Sequence, residues 1–186
     1  VDALPEVLNW VEGGGIDLLA FNDHLPGIRR KIDDDGKMGK YAERAGVSTG
    51  EFRVIVERAS ENTDAVGEVV ARLARAGAAR RIPMASHDDL TAEDRDRYQA
   101  LGCAVSEFPM RTAAAARARE LGNEVVMGCP NVVRGGSHIN GVRAAEMVSE
   151  GVCTVLASDY YYPSMLAAPF RLVSDGLMSL GRAWRY

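Results

Sequence analysis

A four-part beat runs along this chain: a short apolar run, a polar cluster, a stretch with helical spacing, and a glycine. Apolar runs at residues 16–21, 81–85, 103–106, 124–127 and 152–157 are each bounded by turn residues and each precede a helical pattern. Short apolar runs without alternation fit strands buried on both faces, which is the habit of parallel sheets. The order βαβαβαβαβα then demands right-handed crossovers and places helices against the sheet. The last four units repeat at about 24 residues, the spacing of a βα repeat in a barrel rather than of a solenoid. Between the first two strands lies a longer polar excursion over 27–50 and a helix expected over 51–76. Ser48 with Glu51, and Thr91 with Asp94, have the spacing of capping boxes. No linker or composition shift interrupts the pattern, so residues 1–186 read as one domain.

Composition removes several classes. With 47% apolar and 26% charged residues the chain is neither disordered nor low in complexity. A net charge of −4 and a pI near 5.4 leave no basic footprint for nucleic acid. No run approaches the ~20 apolar residues of a membrane span. Cys103, Cys129 and Cys153 are odd in number and far apart, which speaks against a disulfide framework and for a reducing, cytoplasmic setting. They are expected as small buried hydrophobes.

The polar clusters follow the strands directly: Asn22-Asp23-His24, His87-Asp88-Asp89, Glu107, Asn131 with a glycine-rich loop, and Asp159. In parallel α/β folds the carboxyl ends of the strands converge on one face, where ligands bind. A mixture of His, Asp and Glu there suits a divalent metal such as zinc. Plainer roles stay open for each. His87, Asp88 or Asp89 would also serve as helix caps, and Asp23 as a turn residue. Glu107 would serve as a solvated carboxylate, and His138 as a surface residue. Arg134-Gly135-Gly136-Ser137-His138 offers a guanidinium, a hydroxyl and backbone amides to a phosphate oxyanion. The chain carries no GK[ST] loop, GxGxxG or HExxH.

The run Met127-Gly128-Cys129-Pro130-Asn131-Val132-Val133-Arg134-Gly135-Gly136-Ser137-His138 closely resembles a signature of the phosphonate-metabolism metal-dependent hydrolases. Those are the alpha-D-ribose 1-methylphosphonate 5-triphosphate diphosphatases of the carbon–phosphorus lyase pathway, a branch of the amidohydrolase superfamily. Asp23-His24-Leu25-Pro26-Gly27, Ala85-Ser86-His87-Asp88-Asp89 and Ser158-Asp159-Tyr160 are similar to three further segments of that family, in the same order.

The resemblance implies an α/β fold, a partial TIM-type (β/α)8 barrel whose five parallel strands correspond to strands four to eight. It implies a divalent metal held by His87, Asp159 and Asp23, with Glu107 where many superfamily members have a histidine. His87 and Asp159 are the implied catalytic residues, Asp159 as proton acceptor. Asn131, Arg134, Gly135, Gly136, Ser137 and His138 are the implied contacts to a small phosphorylated substrate. The implied reaction converts a triphosphate to a monophosphate and pyrophosphate. The superfamily's first metal motif, His-x-His or a variant of it, and its small β-sandwich have no counterpart here. The chain alone is therefore expected to be inactive, to bind metal weakly, and to associate through exposed strand edges into a homo-oligomer. Two other readings remain at this point. One is a different amidohydrolase activity, on a cyclic amide or an amine. The other is a non-catalytic open α/β module, whose strand order would reverse in mid-sheet.

Overall fold

The computed structural model describes residues 2–136, 141–158 and 160–186. The chain is built of two compact units, Val1–Gly15 with Asn22–Ala76, and Ile16–Phe21 with Gly77–Tyr186.

The first unit is helical. Helix α1 (Leu4–Gly13) buries Leu4 and Val11 and closes at Gly14, whose φ of 74° is left-handed. A short α2 (Leu25–Arg29) begins with Pro26 in its first turn. In α3 (Asp35–Ala45) the cap is Asp34, whose side chain accepts from the Lys37 amide at 3.0 Å. The Lys37 hydrogen bonds hold that carboxyl below its usual range. Helix α4 (Thr49–Ser60) opens with the expected Ser48–Glu51 capping box. Met38, Ala42 and Val56 are buried, Tyr41 stacks on Phe52 at 5.9 Å, and Arg53 Nε donates to Ile32 O at 3.1 Å.

The helix expected over 51–76 is in fact two. It stops at Ser60 and resumes, after a 3₁₀ turn at Thr63–Ala65, as α5 (Val66–Ala79). The cause is local. Thr63 Oγ1 donates to Ser60 O at 2.7 Å, taking up a carbonyl that a continuous helix would use, and Ser60 Oγ back-bonds to Val56 O at 2.7 Å in the last turn.

The second unit holds a parallel sheet of five strands among the described residues: β1 (Leu19–Phe21), β2 (Met84–His87), β3 (Val105–Glu107), β4 (Glu124–Gly128) and β5 (Val155–Ala157). They pair in sequence order, β1-β2-β3-β4-β5. That order is that of part of a TIM-type barrel, and the open module with a reversal in mid-sheet is excluded.

Helices α6 (Ala92–Ala100), α7 (Thr112–Glu120), α8 (Cys129–Arg134), α9 (Ala144–Ser149), α10 (Ser164–Ser174) and α11 (Leu180–Ala183) complete the unit. The second expected capping box, Thr91 with Asp94, opens α6. Glycines 102, 122 and 151, with φ of 91°, 76° and 73°, follow α6, α7 and α9. They supply the left-handed turn that sends the chain back toward the next strand. After α5 that conformation falls to Arg81 at φ 56°. Ile82 N donates to Gly77 O at 2.9 Å, so residues 80–82 close a helix, and β2 starts later than the apolar run beginning at Arg81.

Register divides the sheet into two faces. Phe21, Ser86, Ser106 and Val125 are aligned across four strands and are all buried. Val125, Met127 and Leu156 join Ala115, Ala118, Met147, Val148 and Leu172 in the main core. His87, Glu107, Val126 and Val155 follow as the next residues along β2 to β5, and so lie on the opposite face. Among the described residues no helix is long and apolar enough to cross a membrane.

Candidate active site

His87 and Glu107 are the last residues of β2 and β3 and are directly paired in register. His87 Nδ1 stands 2.8 Å from Glu107 Oε2. An ionised carboxylate only accepts, so Nδ1 carries a proton and donates, and Nε2 is left to face a second partner. That nitrogen lies 3.6 Å from Asp88 Oδ1. The ring meets the edge of Phe108 at 5.4 Å, perpendicular to it. Asp88 and Phe108 both have left-handed φ, 58° and 52°. Neither is glycine, and such strain at a strand end is a mark of sites that position side chains. Backbone bonds hold the two turns: Asp88 N to Glu107 O at 3.0 Å and Phe108 N to Val126 O at 2.9 Å. None of His87, Asp88 and Asp89 caps α6; Thr91 does.

Behind this pair, on the helix-covered face, lies a buried ionic cluster that sequence reasoning missed. Asp89 and Arg95 are both fully enclosed, with Arg95 Nη1 3.3 Å from Asp89 Oδ2. Ser86 and Ser106 donate to the same oxygen at 2.6 and 2.8 Å. The signal available was α6 itself: AEDRDRYQA has too few apolar residues to bury an apolar stripe, so one of its charges had to face inward.

At the end of β4 the signature segment forms α8, a helix the sequence pattern did not announce, which ends at Arg134 where the polar loop was expected to begin. Pro130 in its first turn favours the start. The Gly135 and Gly136 amides, expected to be open to a phosphate, close this helix instead. They donate to Val132 O at 3.1 Å and Asn131 O at 3.0 Å, with Gly135 at φ 78°. In this conformation they are engaged in a C-terminal cap. Asn131 braces the segment that follows: Nδ2 donates to Val142 O and Oδ1 accepts from Ala144 N, both at 3.0 Å. Arg143 Nε donates to Gly135 O and Arg171 Nη1 to Val133 O, each at 3.1 Å. Arg134 reaches across to β5's following turn, donating from Nη1 to the Tyr160 hydroxyl with its guanidinium over that ring.

Asp23 belongs to the helical unit, where Oδ1 accepts from Leu25 N at 2.9 Å and forms the turn into α2. Ser137, His138 and Asp159 lie outside the described residues. All three cysteines are buried. Burial pushes Cys103 up to about 11 and Cys153 to about 12, and raises Cys129 as well. None is poised as a nucleophile.

The chain is 34% identical over 176 residues to the alpha-D-ribose 1-methylphosphonate 5-triphosphate diphosphatase of Escherichia coli strain K12. It is similar to that diphosphatase in sequence. The match takes in 92% of the chain but 46% of the relative, so the chain spans about half the length of the curated protein it matches. No family profile matches the chain, and no solved structure matches it. The relative's name is that of a hydrolase of a phosphorylated phosphonate sugar, in agreement with the resemblance carried by the four motifs.

Proposed function

We propose that this chain forms part of a metal-dependent diphosphatase of phosphonate catabolism, one that cleaves alpha-D-ribose 1-methylphosphonate 5-triphosphate to the 5-phosphate and pyrophosphate. The observation that carries the reading is the 34% identity, over nearly the whole chain, to a protein of that name. The donor set agrees with it. A histidine whose Nδ1 is bound to a carboxylate, and whose Nε2 faces a second carboxylate 3.6 Å away, is the arrangement that fixes an imidazole for a divalent ion. When bound, zinc or a similar ion would supply a water of lowered pKa and charge neutralisation.

His87 Nε2 and Asp88 Oδ1 would hold the ion from the sheet unit, with Asp23 and Asp159 as the donors that the resemblance adds. Glu107 orients His87 and keeps its proton on Nδ1, a role distinct from the ligand role expected of it. Asp159 accepts the proton of the attacking water at its carboxylate. Arg134 brings a guanidinium to the triphosphate, where positioning and electrostatics do most of the work of phosphoryl transfer. Ser137 and His138 complete the proposed phosphate contacts. Asn131 acts on them indirectly, through the loop that it braces, and so do the two glycines, through the turn they make.

Taken alone, the 186-residue chain is proposed to turn over little, because the superfamily motif that supplies two metal ligands has no counterpart in it. A hydrolytic metal needs about three protein ligands and an open position. The test is pyrophosphate release from the ribose 5-triphosphate by the full-length protein with added zinc or manganese, wild type against H87A and R134A. Release that H87A abolishes, and that R134A weakens mainly through KM, supports the assignment. Turnover of a cyclic amide with none of the triphosphate refutes it.

A further inference from the structure

The cluster behind the site is costly. A fully enclosed Asp–Arg pair loses hydration that its attraction barely repays, and apolar residues of similar size would hold the fold as well. Its wiring is more specific than stability needs. One oxygen, Asp89 Oδ2, gathers Ser86 Oγ at 2.6 Å, Ser106 Oγ at 2.8 Å and Arg95 Nη1 at 3.3 Å. Arg95 adds Ser86 Oγ at 2.6 Å, Val105 O at 3.2 Å and Cys103 O at 2.8 Å. Ser86 and Ser106 are a register pair, and each directly precedes one member of the next pair, His87 and Glu107. On a pleated sheet consecutive residues point to opposite faces. The serines are therefore tied together on the helix side, one residue before the histidine and the glutamate meet on the other. Asp89 also grips the following turn through its carbonyl, which accepts from Met110 N at 2.9 Å. Among the described residues its Oδ1 and Arg95 Nε have no hydrogen-bond partner, so the pair tolerates incomplete satisfaction to keep this geometry.

We propose that Asp89, with Arg95 behind it, is a positioning residue that clamps the ends of β2 and β3 together and so holds His87 in its single Nδ1-protonated, Glu107-bound form. The inference rests on the proposed function only in calling His87 a site residue; the clamp itself is a matter of geometry.

The test reads the His87 ring directly and needs no turnover. Long-range ¹H–¹⁵N spectra of the chain at pH 8 report which ring nitrogen carries the proton, with H87Q assigning the signals. Wild type should show one Nδ1-protonated tautomer. E107A, which removes the acceptor, should lose it, which calibrates the readout. D89N and S106A should show two tautomers in exchange while keeping the wild-type far-UV circular dichroism. T91A, which weakens α6 by removing its cap, is the control for mere destabilisation and should leave the tautomer unchanged. If D89N does not fold, S86A and S106A decide the matter on the same spectra, since each removes one tie. A wild-type tautomer in folded S106A and D89N overturns the proposal, as does its equal loss in T91A. Pyrophosphate release is measured separately, so failure of the diphosphatase reading leaves the clamp's outcome legible.

Discussion

Gly135 and Gly136 are adjacent, both lie in the signature loop, and the structure gives them opposite sensitivities. Gly135 stands at φ 78° as the left-handed residue after α8. A Cβ there would meet Arg171 Nη2 at 3.5 Å, an ordinary contact, so crowding is not the issue. The conformation is: a side chain in the left-handed helical region costs about 1–2 kcal/mol. Against this, alanine restricts the unfolded chain by about 0.4–1 kcal/mol, which leaves G135A destabilised by about 1 kcal/mol. Gly136 has nothing within 4 Å of its virtual Cβ and no positive φ, so G136A should be neutral or stabilising by up to about 1 kcal/mol. At about 2–4 °C per kcal/mol for a chain of this size, the two variants should differ in Tm by about 2–8 °C. Thermal and urea unfolding followed by far-UV circular dichroism would measure it. Equal effects of the two substitutions, or a neutral G135A, would refute the claim that these amides close a helix through a left-handed Gly135.

Asn131 replaced by Ala should lose about 1–3 kcal/mol, because two half-buried hydrogen bonds to residues 142 and 144 go with it; a loss of pyrophosphate affinity at unchanged stability would show a direct contact instead. Stability should fall as pH rises above about 9. The unfolded thiols titrate near 9.0, while native Cys103 and Cys153 keep their protons to about 11 and about 12. Their contribution is thus whole below pH 9 and lost between about 9 and 12, at about 1 kcal/mol per thiol by pH 10, and the C103A/C153A variant should show a shallower decline in the urea midpoint. The chain should also self-associate at micromolar concentration, since β1 and β5 each pair with one neighbour among the described residues; light scattering that finds a stable monomer counts against edge pairing.

The strand order was legible because every level agreed. Apolar runs, left-handed glycines after α6, α7 and α9, and two capping boxes all pointed to βα units, and short βα units pair in sequence. The failures were places where polar groups overrode the pattern. Ser60 and Thr63 turn their hydroxyls on the backbone and split one expected helix. Arg80 to Ile82 close α5, where a left-handed arginine does what glycine does elsewhere. The signature segment was read as an anion loop because glycines and arginine stood together. Those glycines instead follow a six-residue helix, and their amides point back into it.

The site shows the same boundary more sharply. That His87 and Glu107 end strands could be read from the sequence. That they meet could not, because contact between residues 20 apart depends on register, and a slip of one residue would turn one of them to the helix side. The repeated pair Ser86-His87 and Ser106-Glu107 is where register becomes chemistry. The serines fix it from behind through a buried carboxylate, and the histidine and glutamate express it in front as a 2.8 Å contact. Neither pair accounts for itself alone. Two hydroxyls and an ion pair are a poor core, and a lone His–Glu contact at the ends of two short strands is poorly held. Together they make one device in which a cost on the covered face sets a geometry on the open one.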